Sequence, residues 1–245
     1  MKQNEAVIQT LERLGGVATL GQLNQETFKT KECIWKTKTP FASIRRIVQV
    51  DKNIYKIKPG LYGLKKLRTE IESRGIIAET ATNKNSVEMA EFNHSYYQGL
   101  LLIVGNLKGM RTFVPNQDRN KRFITKPLGE IRTLESLPQF SFPNIVQTSS
   151  SIDAIWFNDR FLPHSLFEVE HSTNIERSLT KFNELQDFYC RMVIVADVVR
   201  KGEFENKVRY SSYRDVRDRV KFLSYDILSR QYENLVQTQH DEFVL

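Results

Sequence analysis

The sequence is poor in cysteine and has no long apolar stretch, and these shortages exclude several classes of protein. Two cysteines, Cys33 and Cys190, lie far apart in 245 residues, so neither a disulfide framework nor a zinc-binding cysteine motif is indicated. The longest apolar run, near residues 99–105, is far shorter than the ~18 residues that a membrane-spanning helix needs. The N-terminus, MKQNEAVIQT, has no apolar signal region, so we expect a soluble, cytoplasmic protein without a membrane partner.

Two motifs of common enzyme classes are also missing. The chain has no G-x-S-x-G motif, which argues against a serine hydrolase. It has no G-x-x-x-x-G-K-S/T loop, so we expect no nucleotide cofactor. With 40% hydrophobic residues, the chain still has enough apolar material for a core, and its length fits one large or two small domains.

Positive charge is concentrated in the first part of the chain. Residues 1–68 contain 14 Lys and Arg but 5 Asp and Glu, whereas the rest of the chain contains 22 and 24. A basic block attracts a polyanion, because each neutralised phosphate releases condensed counterions. The charge therefore predicts nucleic-acid binding by this segment, although a solubilising basic face would give the same count.

Apolar spacing near the N-terminus predicts three short helices. Residues 4–14 have apolar side chains at helical intervals and are followed by two glycines, which end a helix. A second helix is predicted for residues 20–28, with Thr19 as its N-cap. Thr39 and Pro40 then begin a third helix, as the cap and the first helical residue.

Two strand-like segments follow and predict a β-hairpin. Residues 54–57 and 61–64 flank the turn residues Pro59 and Gly60. Lysines form a basic rim around this hairpin: Lys52, Lys56, Lys58, Lys65 and Lys66. Three helices followed by a hairpin are the element order of a winged helix-turn-helix, which we predict for residues 1–68.

Residues 3–68, which end in NIYKIKPGLYGL, resemble the HARE-HTH family of winged helices. The resemblance implies duplex DNA binding, with the third helix in the major groove and the hairpin along the DNA backbone. The DNA-binding candidates are on the third helix and the hairpin: Ser43, Arg45, Arg46, Gln49, Lys56 and Lys58. Arginine commonly reads guanine and glutamine pairs with adenine, but contacts to phosphate alone, or to another protein, stay open as alternatives.

Residues 69–86 are polar and are predicted to link this domain to a second domain, residues 87–245. The second domain begins with a predicted long helix. Glu91, His94 and Gln98 have i, i+3, i+7 spacing in it and therefore lie on one face. The alternative interpretation is an ordinary solvated stripe.

Three acids further along the chain predict a metal site. Residues 151–157 and 165–171 alternate like strands and are close enough to pair as a hairpin. Glu168 and Glu170 then emerge on the same face, about 7 Å apart, and Asp153 on the neighbouring strand can meet Glu168. Adjacent acids repel each other unless a cation offsets the charge, and hard divalent cations prefer oxygen ligands. The alternative is a pair of solvent-facing acids on an edge strand.

The order of these acids resembles the PD-(D/E)XK nuclease superfamily, with Asp153 in the first position and Glu168-Val169-Glu170 as an E-x-E variant. The run FEVEHST resembles restriction-endonuclease-like proteins more specifically, and the resemblance spans residues 87–200. It implies Mg²⁺, with Mn²⁺ as a substitute, held by Asp153, Glu168 and the Val169 carbonyl. It also implies that Glu170, in place of the usual lysine, positions or deprotonates the attacking water or shares a second ion.

The same resemblance gives catalytic roles to residues on two helices. Glu91 completes the outer shell of the metal, and His94 and Gln98 belong to the upstream helix that contributes an acid, a histidine and a glutamine. Lys181 contacts the scissile phosphate. A surface pairing of Lys181 with neighbouring glutamates is the alternative.

The remaining C-terminal elements complete an α+β prediction. A helix over residues 174–188 with Thr173 as its cap, a buried strand over 192–196, an edge strand over 207–213 and a helix over 215–234 are predicted, followed by loose final residues. The predicted architecture is a winged helix-turn-helix plus an α/β restriction-endonuclease-like core. In this core, a mixed central sheet is flanked by helices.

A nuclease core coupled to a small DNA-reading domain predicts a type II restriction endonuclease that depends on Mg²⁺ and cleaves duplex DNA. The resemblance to the PD-(D/E)XK superfamily implies that the products carry 5′-phosphate and 3′-hydroxyl ends. Cleavage of both strands requires two active sites, so a homodimer is expected. Two alternatives stay open: a repair, recombination or transposition nuclease, and a non-catalytic DNA-binding regulator that retains nuclease-like acids.

Overall fold

The computed structural model describes residues 1–84, 86–172 and 174–242. Contacts within the chain divide it into two compact units. The first contains Met1–Phe92 together with the chain from Ser229 onward, and the second contains Asn93–Leu228. Both units combine helices and strands, as the α+β prediction requires.

Three helices begin the first unit: α1 (Gln3–Arg13), α2 (Leu20–Glu26) and α3 (Pro40–Val50). The predicted Thr19 cap of α2 is confirmed, because its hydroxyl accepts from the Gln22 amide at 3.0 Å and the Gln22 side chain accepts from the Thr19 amide at 2.8 Å. Thr39 and Pro40 are the N-cap and the first helical residue of α3, as predicted, but the Thr39 side chain does not cap the helix. Within the described residues, Thr39 accepts no capping hydrogen bond from α3, and its hydroxyl lies 3.5 Å from that of Thr37.

A small antiparallel sheet completes the first unit, with strands β1 (Val17–Thr19), β2 (Ile54–Lys58) and β3 (Leu61–Leu64) in the order β1-β3-β2. Helix α4 (Arg68–Ser73) follows it, shorter than the helix expected there. The buried core includes Val7, Leu11, Leu23, Ile44, Val48, Ile54 and Leu64. The predicted helices and hairpin are therefore present, and the winged-helix assignment itself stays a prediction.

Lys58 does not lie on the basic rim that the sequence predicted. Its residue exposure is 5%, and its ammonium group lies 4.2 Å from the centre of the Phe92 ring. Burial lowers the pKa of Lys58 to about 7. The burial of Lys58 does not favour the expected DNA contact, which stays a prediction, whereas Lys56 is exposed.

The strands that begin in the second unit are β4 (Arg111–Phe113), β5 (Arg122–Phe123), β6 (Lys126–Pro127), β7 (Ala154–Phe157), β8 (Pro163–Glu170), β9 (Arg191–Ala196) and β10 (Val220–Ser224). The remaining helices are α5 (Val87–Leu107), α6 (Leu128–Ile131), α7 (Pro143–Ser149), α8 (Ile175–Asn183), α9 (Lys201–Lys207) and α10 (Tyr225–Glu242).

Five of these strands form the mixed central sheet, in the order β10-β9-β8-β7-β4. Strands β4, β7 and β8 pair antiparallel, whereas β8, β9 and β10 pair parallel. A parallel neighbour requires a crossover, and α8 supplies it between β8 and β9. Because β8 is the middle strand, the alternative of solvent-facing acids on an edge strand is excluded.

The C-terminal part of the sheet differs from the prediction. Residues 207–213 do not form the edge strand; they contain the end of α9 and a short turn of helix, Ser211–Tyr213. The edge strand is β10, within the segment predicted as helix 215–234. The apolar spacing there suits a helix, but main-chain pairing with β9 makes it a strand. Helix α10 then continues to Glu242, so the described final residues are helical rather than loose.

Helix α8 begins at a local cap and ends earlier than predicted. The Asn174 side chain accepts from the Glu176 amide at 3.0 Å, so Asn174 is the N-cap. Thr173, the predicted cap, lies outside the described residues. The helix ends at Asn183 rather than at residue 188. In the part of the chain that the structure describes, no helix has both the length and the apolar composition needed to cross a membrane.

Candidate functional site

The β7–β8 hairpin brings the first two acids together. Ala154 pairs with Phe167, so Asp153, immediately before β7, adjoins Glu168. The Val169 amide donates to Asp153 Oδ2 at 2.8 Å, and the Asp153 amide lies 3.4 Å from Glu168 Oε1. The predicted meeting of Asp153 and Glu168 is confirmed, although Asp153 precedes the strand instead of lying in it.

Helix α5 contributes two more predicted residues to this region. Gln98 is fully buried, and its Nε2 donates to Asp118 Oδ2 and to the Asp153 carbonyl oxygen, both at 2.9 Å. His94 Nε2 lies 3.5 Å from Asp153 Oδ1 and 3.9 Å from Asp118 Oδ2. The shared helix face that the spacing predicted therefore reaches Asp153 through His94 and Gln98.

Glu91 is not part of this group. It is exposed and belongs to the first unit. Among the described residues, the group of potential metal ligands consists of His94, Asp118 and Asp153, whose ligand atoms all lie within 4.8 Å of one another. The expected role of Glu91 next to the metal therefore has no support in the contacts.

Asp118 is a site residue that the sequence interpretation missed. It lies in a turn after β4, is 3% exposed, and pairs with Lys121 Nζ at 2.6 Å. Its local sequence, NQDRN, is an ordinary polar loop without any periodic signal. The tertiary structure was needed to bring it to Gln98 and His94.

A second set of contacts surrounds the two glutamates of β8. The Ser178 hydroxyl donates to both Glu168 and Glu170. Lys181 Nζ donates to the two oxygens of Glu168 at 2.9 and 2.8 Å and to the Ser151 carbonyl at 2.8 Å. Lys181 thus belongs to the site, and the alternative surface pairing is excluded.

Glu170 is held from several sides. Its Oε2 lies 3.9 Å from Arg200 Nη1, and the Tyr225 hydroxyl donates to its backbone carbonyl at 3.2 Å. Phe167 and Val169, between the acids in sequence, are buried as the alternation predicted. Ser178 and Arg200 were not identified from the sequence, because neither belongs to a recognisable motif.

Burial dominates the electrostatics of the three predicted acids. Burial, followed by the charge of Asp153, raises the pKa of Glu168 well above its usual range. Burial also raises the pKa of Asp153 and that of Glu170. Burial therefore disfavours the charged form of each acid, and a nearby cation offsets part of that cost.

Asp118 and His94 behave differently because they face each other. Burial alone would raise the pKa of Asp118, but hydrogen bonds with His94, Lys121 and Gln98 hold it well below its usual range. Burial alone would lower the pKa of His94, but the hydrogen bond with Asp118 and the charge of Asp153 raise it. This end of the site can therefore supply carboxylate oxygens and an imidazole nitrogen to a divalent cation.

The DNA-binding candidates on α3 have different environments. Arg46 and Gln49 are exposed, whereas the Ser43 hydroxyl donates to the Thr39 carbonyl of its own helix at 3.4 Å. Arg45 is half-exposed and forms an ion pair with Glu233 of α10 at 2.9 Å. Arg46 and Gln49 therefore have the accessibility that a DNA contact needs, and the DNA-binding roles of all four residues stay predictions.

A restriction-enzyme family matches most of this chain. A family model described as the type II restriction enzyme NmeDI C-terminal domain matches residues 76–244, and the chain belongs to that family. The match includes every site residue from His94 to Arg200 and excludes the whole basic segment of residues 1–68.

The chain is also similar to part of a curated protein. The chain is 32% identical over 113 residues to the type II restriction enzyme NmeDI of Neisseria meningitidis serogroup C. The similarity covers 42% of this chain and 32% of the relative, so the chain spans about a third of the length of that enzyme. No solved structure matches the chain significantly.

Proposed function

We propose that this chain is a divalent-metal-dependent DNA endonuclease of the type II restriction class, with the E-x-E variant of the PD-(D/E)XK site. The observation that carries the proposal is the arrangement around Asp153, which contacts His94 on one side and adjoins Glu168 on the other. Buried acids side by side destabilise a fold, so their presence favours a function that uses the charge. The restriction-enzyme family supports the same class of activity.

Two ligand sets share Asp153. The sequence predicted Asp153 with Glu168 and the Val169 carbonyl, whereas the contacts favour Asp153 with His94 and Asp118. We propose the second set as the main one, because its three ligand atoms all lie within 4.8 Å of one another. An imidazole nitrogen suits Mn²⁺ better than Mg²⁺, so we expect Mn²⁺ to bind more tightly. Such an ion, when bound, would stabilise negative charge that develops on the phosphate.

The chain's own residues would perform the remaining steps. Glu170 would accept the proton of the attacking water, because burial moves its pKa towards neutrality and Ser178 holds its carboxylate. Lys181 would contact the scissile phosphate from its position beside Glu168. Gln98 would keep Asp118 and Asp153 in place through its two hydrogen bonds.

The first unit would bind duplex DNA as a winged helix. Its net positive charge in residues 1–68 and the exposed Arg46, Gln49 and Lys56 support this proposal. Cleavage of both strands would use a homodimer. A restriction role also implies access to DNA inside the cell and hence a cytoplasmic location.

The test is cleavage of genomic and plasmid DNA by the purified full chain with Mg²⁺, Mn²⁺ or EDTA, followed by sequencing of the ends. We expect discrete ends at a short fixed sequence, and we expect that Asp153→Asn abolishes them. Glu205→Gln is the matched control, because it removes the charge of an exposed acid in a surface pair with Lys201. Activity on branched DNA alone would favour a repair nuclease. Absence of both cleavage and calorimetric Mn²⁺ binding would contradict any nuclease.

A further inference from the structure

A buried carboxylate of the last helix holds one of the DNA-binding candidates of α3. Glu233 Oε2 lies 2.9 Å from Arg45 Nη2; the Glu233 side chain is 6% exposed and that of Arg45 is 40% exposed. A guanidinium has five N–H donors, so this contact leaves donors that can face another ligand. The pair is therefore buried at its acidic end and accessible at its basic end.

The position of Glu233 is fixed by its neighbours on α10. The Ser229 hydroxyl donates to the Pro59 carbonyl at 3.2 Å, and the Tyr232 hydroxyl lies 3.5 Å from Thr19 Oγ1. Gly60, at φ +71°, lies so close to Glu233 that an added Cβ would come within 2.9 Å of Oε1. Because these contacts hold the acid against the β2–β3 turn, Glu233 is a fixed support for Arg45.

We propose that Glu233 is a positioning residue that orients the Arg45 guanidinium for recognition of duplex DNA. The proposal rests on DNA binding by α3. Bidentate pairing of arginine with guanine requires a fixed guanidinium plane, and an arginine that is already held loses less rotamer freedom on binding. The opposite possibility is that Glu233 acts as a competing anion that weakens the attraction of Arg45 for DNA.

The test is a double-mutant cycle on the full chain, without a divalent metal. Two fluorescent probes are used: a duplex enriched from a random library by the native chain, and the same duplex with its sequence shuffled. Glu233→Gln should lower the affinity for the enriched duplex by about tenfold, within the range of one oriented arginine–guanine contact. It should change the affinity for the shuffled duplex little. In the Arg45→Ala background, Glu233→Gln should have no further effect.

Arg45→Lys is a second variant that leaves Glu233 in place. This substitution keeps the positive charge but removes the planar guanidinium, so the variant should bind the enriched duplex more weakly and the shuffled duplex equally well. Equal or higher affinity of Glu233→Gln for both probes would overturn the positioning role, as would additive effects in the cycle. Arg46→Ala is the control for the proposed function. If both Glu233→Gln and Arg46→Ala leave the affinities for the enriched and shuffled duplexes unchanged, DNA binding by α3 itself is refuted.

Discussion

Removal of the Lys181 ammonium should destabilise the metal-free protein through Glu168. Lys181 Nζ donates to both Glu168 oxygens, and the side chains are 20% and 3% exposed. In Lys181→Met, Glu168 loses the cation that lowers its pKa, so the carboxyl group must take up a proton to stay buried. Breaking a buried pair from one side costs about 3–5 kcal/mol in general.

The pH dependence of stability sets a closer upper limit on the free energy that Lys181→Met costs. The cost to Glu168 cannot exceed that of its own protonation, which is about 4 kcal/mol at about pH 7.5 for a usual pKa near 4.3. Because burial already raises the pKa of Glu168 in the native chain, we expect a loss smaller than this limit. At about pH 5 the same limit falls to about 1 kcal/mol, because protonation of Glu168 in the unfolded chain then costs little.

Urea unfolding in EDTA at both pH values measures this difference. Lys201→Met is the matched control, because its pair with Glu205 is exposed and should contribute at most about 1 kcal/mol at either pH. Lys181→Met with Glu168→Gln should recover most of the stability, since no buried charge is then left alone. A loss that is equal at both pH values, or that persists in the double variant, would refute this account of the pair.

Three further predictions test other parts of the molecule. Gln98→Met should weaken Mn²⁺ binding, measured by calorimetry, by about tenfold or more, because contacts that orient metal ligands typically contribute that much. Gln147→Met, on the exposed face of α7, is the control and should leave Mn²⁺ binding unchanged; equal effects of the two variants would exclude the positioning role of Gln98. Glu170→Gln should abolish cleavage in gel assays and leave DNA affinity unchanged; cleavage at the native rate would remove Glu170 from the mechanism. Thr19→Ala should lower the unfolding free energy by about 1 kcal/mol and Thr39→Ala should not, as measured by chemical denaturation; the reverse order would contradict the capping assignment.

Local chemistry made much of the fold predictable. Strand alternation placed Phe167 and Val169 in the core and Glu168 and Glu170 together on the other face, because side-chain direction in a strand has a period of two. Helical spacing likewise predicted that His94 and Gln98 share a face. Such features depend on neighbouring residues, so the sequence contains the information directly.

The tertiary structure decided what long-range contacts control. Helical spacing at residues 215–234 was correct as a local signal, but pairing with β9 made Val220–Ser224 a strand. Lysine is usually a surface residue, but Lys58 is buried against Phe92. Asp118 has no local signal at all, and its hydrogen bond with Gln98 forms because two distant parts of the chain meet. The sequence by itself determined the N-terminal helices, the β2–β3 hairpin and the acids of β8, because these depend on neighbouring residues. The complete set of groups around Asp153 exists only in the packed molecule.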